Sequence, residues 1–131
     1  MKTHDRMMIS VSAVWAMAAG MTVCAADTKL PLPPALKGVS RLAFLGDSIT
    51  DGSDYPDYVV NTLNKTYPGH HFSFINAGVC GNRSNDLVDR LDRDVLSQKP
   101  DLTFIFIGTN DRGGNPLSQY KADLIYLSRR L

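Results

Sequence analysis

The sequence contains no glutamate, two cysteines and three histidines among its 131 residues. Cys80 would stand alone if Cys24 left with a leader, and a single thiol forms neither an internal disulfide nor a metal cluster. The 14 basic and 13 acidic residues nearly balance, which argues against a nucleic acid or an anionic membrane surface as the partner. The length allows one small domain at most.

The first 26 residues have the pattern of an export signal. Lys2 and Arg6 supply a positive amino-terminal region, and a long uncharged apolar stretch follows. The small residues of CAAD offer a cleavage site after Ala25 or Ala26. We therefore predict a signal peptide over 1–26 and a secreted or periplasmic product.

Two alternatives to a cleaved signal remain open. The apolar stretch could be a membrane anchor or a buried helix, although it is short for a helix that spans a bilayer. Cys24 could be a lipoprotein site, although Val23 is bulky where such sites need a small residue. Cleavage would leave equal numbers of basic and acidic residues and no stable membrane insertion.

The rest of the chain predicts alternating strands and helices. A Pro-rich lead-in over 27–37 precedes a domain over 38–131. Apolar runs predict strands at SRLAFLGDS, HHFSFIN and DLTFIFIG, the last of them apolar throughout as a central parallel strand should be. A segment with helical spacing of apolar residues follows each strand, with Asp54 and Ser84 as expected caps of the first two helices. This βαβαβα order predicts an α/β fold with a parallel sheet and helices on both faces.

The segments GDSIT, NAGVCGNRS and GTNDRGG follow the three predicted strands. Ligands of such sheets bind at the carboxyl ends of the strands, so we expect Ser48, Gly81 and Asn110 to be neighbours there. Ser48 offers a hydroxyl nucleophile, and all three residues offer N–H donors for the oxyanion of an acyl-transfer intermediate. Each segment alone is also compatible with a capping turn or an ordinary loop. The hypothesis depends on their conjunction.

The blocks FLGDSITDG, NAGVCGNRS and IFIGTND resemble, in order and placement, the first three conserved blocks of the GDSL, or SGNH, hydrolases. The resemblance extends from about Val39 to Leu131. It implies a flavodoxin-like three-layer α/β/α sandwich with a parallel sheet of order 2-1-3-4-5. This sequence would carry only the first three βα units of that fold, so the fold would be incomplete here.

The resemblance also implies functional residues and a reaction class. Ser48 would be the nucleophile, and the Ser48 N–H, the Gly81 N–H and Asn110 Nδ2 would form the oxyanion hole. Members of the family are esterases, lipases, thioesterases and carbohydrate deacetylases that use no cofactor. Asn82 and Arg83 stand where the family often has Asp and Thr, in a loop that borders the acyl and alcohol sites.

The family's general base is a histidine in a carboxyl-terminal D-x-x-H motif, which this sequence does not contain. His4 lies in the predicted leader, and His70 and His71 lie at the amino end of the second predicted strand, on the far side of the sheet from Ser48. We therefore expect the amino-terminal part of a secreted SGNH ester hydrolase, inactive by itself, whose substrate is a small-molecule or polysaccharide ester.

Two other functions remain as alternatives. The first is a non-catalytic ligand-binding module that retains the oxyanion pocket. The second is a flavodoxin-like domain that binds a phosphate or a nucleotide. The second is disfavoured because the G-x-G-x-x-G and G-K-[ST] spacings of such sites are absent.

Overall fold

Strands and helices alternate along residues 30–131, the part of the chain that the computed structural model describes. The strands are β1 (Arg41–Gly46), β2 (Ser73–Gly78) and β3 (Leu102–Phe106), and the helices are α1 (Ser48–Asp51), α2 (Tyr55–Thr66), α3 (Ser84–Asp94) and α4 (Leu117–Arg130). Single 3₁₀ turns lie at Pro34–Leu36, Leu96–Gln98 and Asp111–Gly113. The predicted signal peptide, 1–26, lies outside the described residues.

The three strands form one parallel sheet in the order β2-β1-β3. In its register Leu42 of β1 lies beside Phe74 on one side and Leu102 on the other. This order and direction confirm the predicted α/β class and match the first three strands of the expected sheet. The carboxyl ends of all three strands therefore meet at one edge of the sheet, where β1 is the central strand.

Side chains of β1 alternate between two hydrophobic cores, one on each face of the sheet. Leu42 and Phe44 pack with Val60 of α2 on one face. Ala43 and Leu45 pack on the other face with residues of α3 and α4, among them Leu87, Leu91 and Leu127. Burial of each large apolar side chain contributes about 1.5–3 kcal/mol, so both layers of helices are anchored on β1. The result is the predicted arrangement of helices on both faces.

The position of β3 agrees with the order that the resemblance implies. Its continuous apolar run suits a central strand with both faces covered, and among the described residues, which hold the first three strands of that order, β3 lies at an edge. Phe104 and Phe106 are 41% and 50% exposed. An apolar run shows that a strand is suited to burial on both faces, but it does not show which neighbours are present.

The cap of α3 also differs from the expectation. Arg83, not Ser84, is the N-cap residue, and its N–H donates a hydrogen bond to Asp86 Oδ2 at 2.8 Å. Ser84 is the first helical residue, and its hydroxyl bonds to residues far away in the sequence. Asp54 does occupy the N-cap position of α2, without a capping bond from its side chain.

None of the helices within residues 30–131 combines the length and the apolar character that crossing a lipid bilayer requires.

Candidate active site

Ser48 lies at the tight connection between β1 and α1, as the first residue of the helix. Asp47 is the N-cap, and its Oδ1 accepts a hydrogen bond from the Ile49 N–H at 2.9 Å. The Asp47 carbonyl accepts the next two backbone bonds, from Thr50 and Asp51. Asp47 is fully buried, whereas Ser48 is exposed. The connection therefore presents the Ser48 side chain at the surface from a backbone that is held at several points.

Close approaches of the backbone hold α1 on the sheet. A Cβ on Gly46 would overlap the Thr50 side chain and lie 2.6 Å from the Phe106 carbonyl oxygen. A Cβ on Gly78 would overlap the backbone of Asp51. Asn76 Nδ2 also donates to the Thr50 carbonyl at 3.0 Å. The helix that carries Ser48 is thus seated against the ends of β1 and β2, with no room for side chains between them.

Gly81 lies in the loop between β2 and α3 and has a φ of +79°. This left-handed conformation is strained for residues with a side chain, so the backbone itself requires glycine here. No protein atom lies within 4 Å of the position that a Cβ would take. The sequence suggested glycine for the access of a substrate, and the structure adds the requirement of the backbone.

Asn110 follows β3 and is connected to the loop of Gly81. Its Nδ2 donates to the backbone carbonyl of Asn82 at 2.9 Å. A carboxamide nitrogen carries two hydrogens, so one N–H of Asn110 remains for another acceptor. Ser48, Gly81 and Asn110 thus lie in the three segments that follow the strands at the carboxyl edge of the sheet, and their catalytic roles remain predictions.

Arg90 of α3 joins the end of β1 to the loop that carries Gly81, a role that the sequence did not predict. Its side chain is only 7% exposed. Nη2 donates to the Gly46 carbonyl at 2.9 Å, Nε to Asn82 Oδ1 at 2.6 Å and Nη1 to Asp94 Oδ2 at 3.2 Å. Its place in the sequence carries a weak signal, because Arg90 follows Leu87 by three positions and so shares the buried face of α3.

The acidic partner of Arg90 is also bonded by an exposed arginine. Arg93 Nε lies 2.6 Å from Asp94 Oδ1, and the Arg93 side chain is 77% exposed. The hydrogen bond from Arg93 is the main cause that holds the pKa of Asp94 below its usual value, partial burial opposes it, and the bond from Arg90 adds to the lowering. Asp94 is therefore a carboxylate at neutral pH, opposite the buried guanidinium.

A second buried cluster fixes the loop that carries Asn110. Asp111 and Asp123 are 4% and 5% exposed, and Ser84 is fully buried. Ser84 Oγ lies 2.7 Å from Asp111 Oδ1 and 2.8 Å from Asp123 Oδ2. The Ser84 N–H also donates to Asp111 Oδ1 at 3.0 Å, and Asn115 Nδ2 donates to the same oxygen at 2.9 Å. The cluster joins the loop after β3 to the beginning of α3 and to the middle of α4.

Among residues 30–131 the histidines are His70 and His71, and both are exposed just before β2. They therefore lie at the amino edge of the sheet, opposite Ser48, and the described part of the chain places no imidazole near the hydroxyl. Asp47 Oδ2 is buried without a hydrogen-bond partner among the described residues. Within the same range, no group of three or more His, Cys, Asp or Glu side chains is placed to hold a metal ion.

Comparison with known proteins gives a family match across this site. The family model described as GDSL-like Lipase/Acylhydrolase family matches residues 44–131. The acetylxylan esterase of Geobacillus stearothermophilus is 40% identical over 86 residues, which are 54% of this chain and 39% of that protein. The uncharacterized lipoprotein YqeF of Bacillus subtilis (strain 168) is 36% identical over 104 residues, 69% of this chain and 42% of that protein.

Solved structures give the same result. The crystal structure of Axe2, an acetylxylan esterase from Geobacillus stearothermophilus, matches with a TM-score of 0.64 and 34% identity, over 70% of this chain and 53% of that one. A G-D-S-L family lipolytic protein from Desulfitobacterium hafniense DCB-2 matches with a TM-score of 0.57 and 25% identity, over 70% of this chain and 52% of that one. The variants of Axe2 described as catalytic mutants replace a serine, a histidine and an aspartate. This chain spans about two fifths of the length of the curated relatives.

Proposed function

Because the chain belongs to the GDSL-like lipase/acylhydrolase family, we propose that it is the amino-terminal part of a serine ester hydrolase. The observation that carries the proposal is that Ser48, Gly81 and Asn110 lie just after the three strands, in segments that hydrogen bonds join to one another at one edge of the sheet. The Val79 N–H donates to the Gly46 carbonyl at 3.1 Å, and Asn110 Nδ2 reaches the Asn82 carbonyl at 2.9 Å.

In the proposed reaction Ser48 Oγ attacks the carbonyl carbon of an ester. A histidine oriented by an aspartate takes the hydroxyl proton and then gives it to the leaving alcohol. The Ser48 N–H, the Gly81 N–H and the second N–H of Asn110 Nδ2 stabilise the oxyanion of the tetrahedral intermediate. Water then hydrolyses the acyl-serine. The serine, histidine and aspartate replaced in the catalytic mutants of Axe2 support this division of roles.

For the substrate we propose an acetyl or other short acyl ester of a carbohydrate or a small molecule. The acetylxylan esterase among the relatives supports an acetylated polysaccharide or oligosaccharide. The signal-like pattern over 1–26 and the lipoprotein relative support export from the cytoplasm. The nearly balanced charge gives no reason to propose nucleic acid as a partner.

The proposal is tested by supplying the missing base. We expect the chain alone to hydrolyse p-nitrophenyl acetate very slowly, because no imidazole of the described residues lies near Ser48. A hybrid that continues from Leu131 into the carboxyl-terminal part of the Geobacillus esterase should hydrolyse it readily. In that hybrid Ser48→Ala should abolish turnover, and Asn110→Ala should lower kcat by about 10²–10³.

A matched control is Ser97→Ala, which removes an exposed hydroxyl of the 3₁₀ turn after α3 that donates to the Arg93 carbonyl. It should leave kcat and KM of the hybrid unchanged. Robust turnover by the chain alone that Ser48→Ala abolishes would show that a base is present within it. An active hybrid that is indifferent to Asn110→Ala would remove Asn110 from the oxyanion hole.

One observation favours a second candidate, a non-catalytic ligand-binding module that retains the pocket. His70 and His71 lie at the edge of the sheet opposite Ser48. A folded hybrid without turnover, together with calorimetric binding of an acetylated xylooligosaccharide by the chain alone, would support the module over the enzyme.

A further inference from the structure

We propose that Arg90 is a positioning residue for the oxyanion hole, acting through Asn82 on both Gly81 and Asn110. The inference rests on the proposed function of Gly81 and Asn110 as oxyanion donors. It assigns the role to a side chain that bonds to the backbone at the end of β1 and to a side chain of the loop that carries Gly81.

The first step is the geometry of the guanidinium. Each of its three nitrogens bonds to a different segment, namely the end of β1 at Gly46, the loop at Asn82 and the carboxylate of Asp94. A guanidinium is planar and presents its donors in a rigid fork, so the three acceptors are held in fixed relative positions. A lysine ammonium on a flexible stem could not hold all three at these directions.

The second step leads from Asn82 to the two donors. Asn82 follows Gly81 directly, so the place at which Asn82 is held limits where the Gly81 N–H can lie. Its side-chain oxygen is held by Arg90 at 2.6 Å, while its backbone carbonyl receives Asn110 Nδ2 at 2.9 Å. A displacement of Asn82 therefore moves both donors together. Displaced donors lose transition-state stabilisation, because that stabilisation depends on their preorganised geometry.

The third step separates this role from that of an ordinary ion pair. Charge compensation for Arg90 needs only Asp94, which lies 3.2 Å away. Arg93 bonds to the same carboxylate from an exposed position and has no hydrogen bond to Gly46 or Asn82. The bonds from Arg90 to Gly46 and Asn82 are therefore not needed for charge compensation. Arg93 provides a matched control within the same helix.

The experiment uses the full chain, labelled with ¹⁵N, and follows the side-chain amide pair of Asn110 by NMR. The pair is identified by its loss in Asn110→Ala. We expect Arg90→Ala and Asn82→Ala to shift this pair and the Gly81 amide signal by more than their own linewidths. Arg93→Ala should leave both in place. Asn82→Asp retains an oxygen acceptor for Arg90 Nε. Its signals should therefore lie close to those of the unsubstituted chain.

Equal shifts in Arg93→Ala and Arg90→Ala would overturn the proposal, since the salt bridge alone would then explain them. If Arg90→Ala does not fold, Asn82→Ala decides, because it retains the bonds of Arg90 to Gly46 and Asp94. Unchanged Asn110 signals in folded Asn82→Ala would contradict the proposal.

A kinetic measurement on the hybrid esterase separates this inference from the proposed function. Asn82→Ala should lower kcat at least tenfold with KM unchanged, as expected for a group that acts in the transition state, and Asn82→Asp should restore kcat. If Asn82→Ala raised KM and left kcat unchanged, that result would contradict the positioning role. A hybrid that is inactive with Arg90 and Asn82 intact would contradict the proposed function, while the NMR result would still decide the role of Arg90.

Discussion

At the carboxyl edge of the sheet two side chains that connect neighbouring segments, Arg90 and Asp111, are almost fully buried, whereas at the amino edge an exposed carboxylate accepts the bonds that join β1 to the segment before β3. Arg90 and Asp111 are 6% and 4% exposed at the first edge. At the second, exposed Asp101 accepts through Oδ2 from the Ser40 N–H, the Ser40 hydroxyl and the Arg41 N–H, at 2.8, 3.0 and 2.9 Å.

The difference teaches how one small sheet can combine a rigid and an adaptable edge. A buried polar group that loses its partner has no water to replace it, so the network at the carboxyl edge has few alternative arrangements. At the amino edge water can replace each bond to Asp101 at small cost. A site that must hold its donors in place before a substrate arrives needs the first kind of edge.

The largest expected effect that tests this comparison comes from one glycine at each edge. Gly46→Ala should lower the free energy of unfolding by about 3 kcal/mol or prevent folding, because its Cβ would overlap Thr50 and approach the Phe106 carbonyl. Gly69→Ala, just before β2 at the amino edge, meets no atom within 4 Å and should change stability by less than about 0.5 kcal/mol. Urea unfolding measures both, and equal stabilities would break the comparison.

The second effect concerns the cluster around Ser84. Asp111→Ala should lower the free energy of unfolding by about 2 kcal/mol, because it leaves the buried Ser84 N–H without its acceptor. Asp111→Asn retains a side-chain oxygen that can accept that bond, and should lose much less. Urea unfolding of the two variants checks this. If alanine and asparagine cost the same, the hydrogen bond is not the source of the stability.

The alternation of strands and helices, the parallel sheet and the gathering of three loops at its carboxyl edge could be predicted from the sequence. Apolar runs and helical spacing report local burial, and consecutive strands joined by helices run parallel for general reasons. The sequence therefore indicated where Ser48, Gly81 and Asn110 lie. It could not show whether those residues perform the proposed chemistry. Reactivity depends on a general base and on the distances between the hydroxyl, that base and the N–H donors, and a local sequence pattern does not give those distances.

Arg90 and Ser84 show why the rest was out of reach. The sequence predicts a pair between Arg90 and Asp94 four positions later, and a charged side chain in such a pair ordinarily extends to solvent even when it borders the buried face of a helix. The burial of Arg90 depends on the Gly46 carbonyl, which lies 44 positions away in the sequence. Ser84 next to the start of a helix fits a cap, but the carboxylates that bond its hydroxyl lie 27 and 39 positions away. Such partners appear only when the helices have packed.

The smallest expected effect is at Asp101 and depends on pH. The backbone N–H groups of Ser40 and Arg41, followed by the Ser40 hydroxyl, hold the pKa of Asp101 below its usual value. Because the pKa is lower in the folded state than in the unfolded state, the stabilisation is present at neutral pH and is lost as the pH falls through the folded value. Asp101→Asn should therefore lower the Tm slightly at neutral pH and have less effect in acid.

The control is Asp89→Asn, which removes an exposed charge on α3. Thermal unfolding from neutral pH to about pH 2 measures both variants. A difference between Asp101→Asn and the unsubstituted chain that stays constant with pH would show that the carboxylate charge does not contribute. A difference as large as that of Asp111→Ala would show that the amino edge is as rigid as the carboxyl edge, because water could then not be replacing the bonds to Asp101.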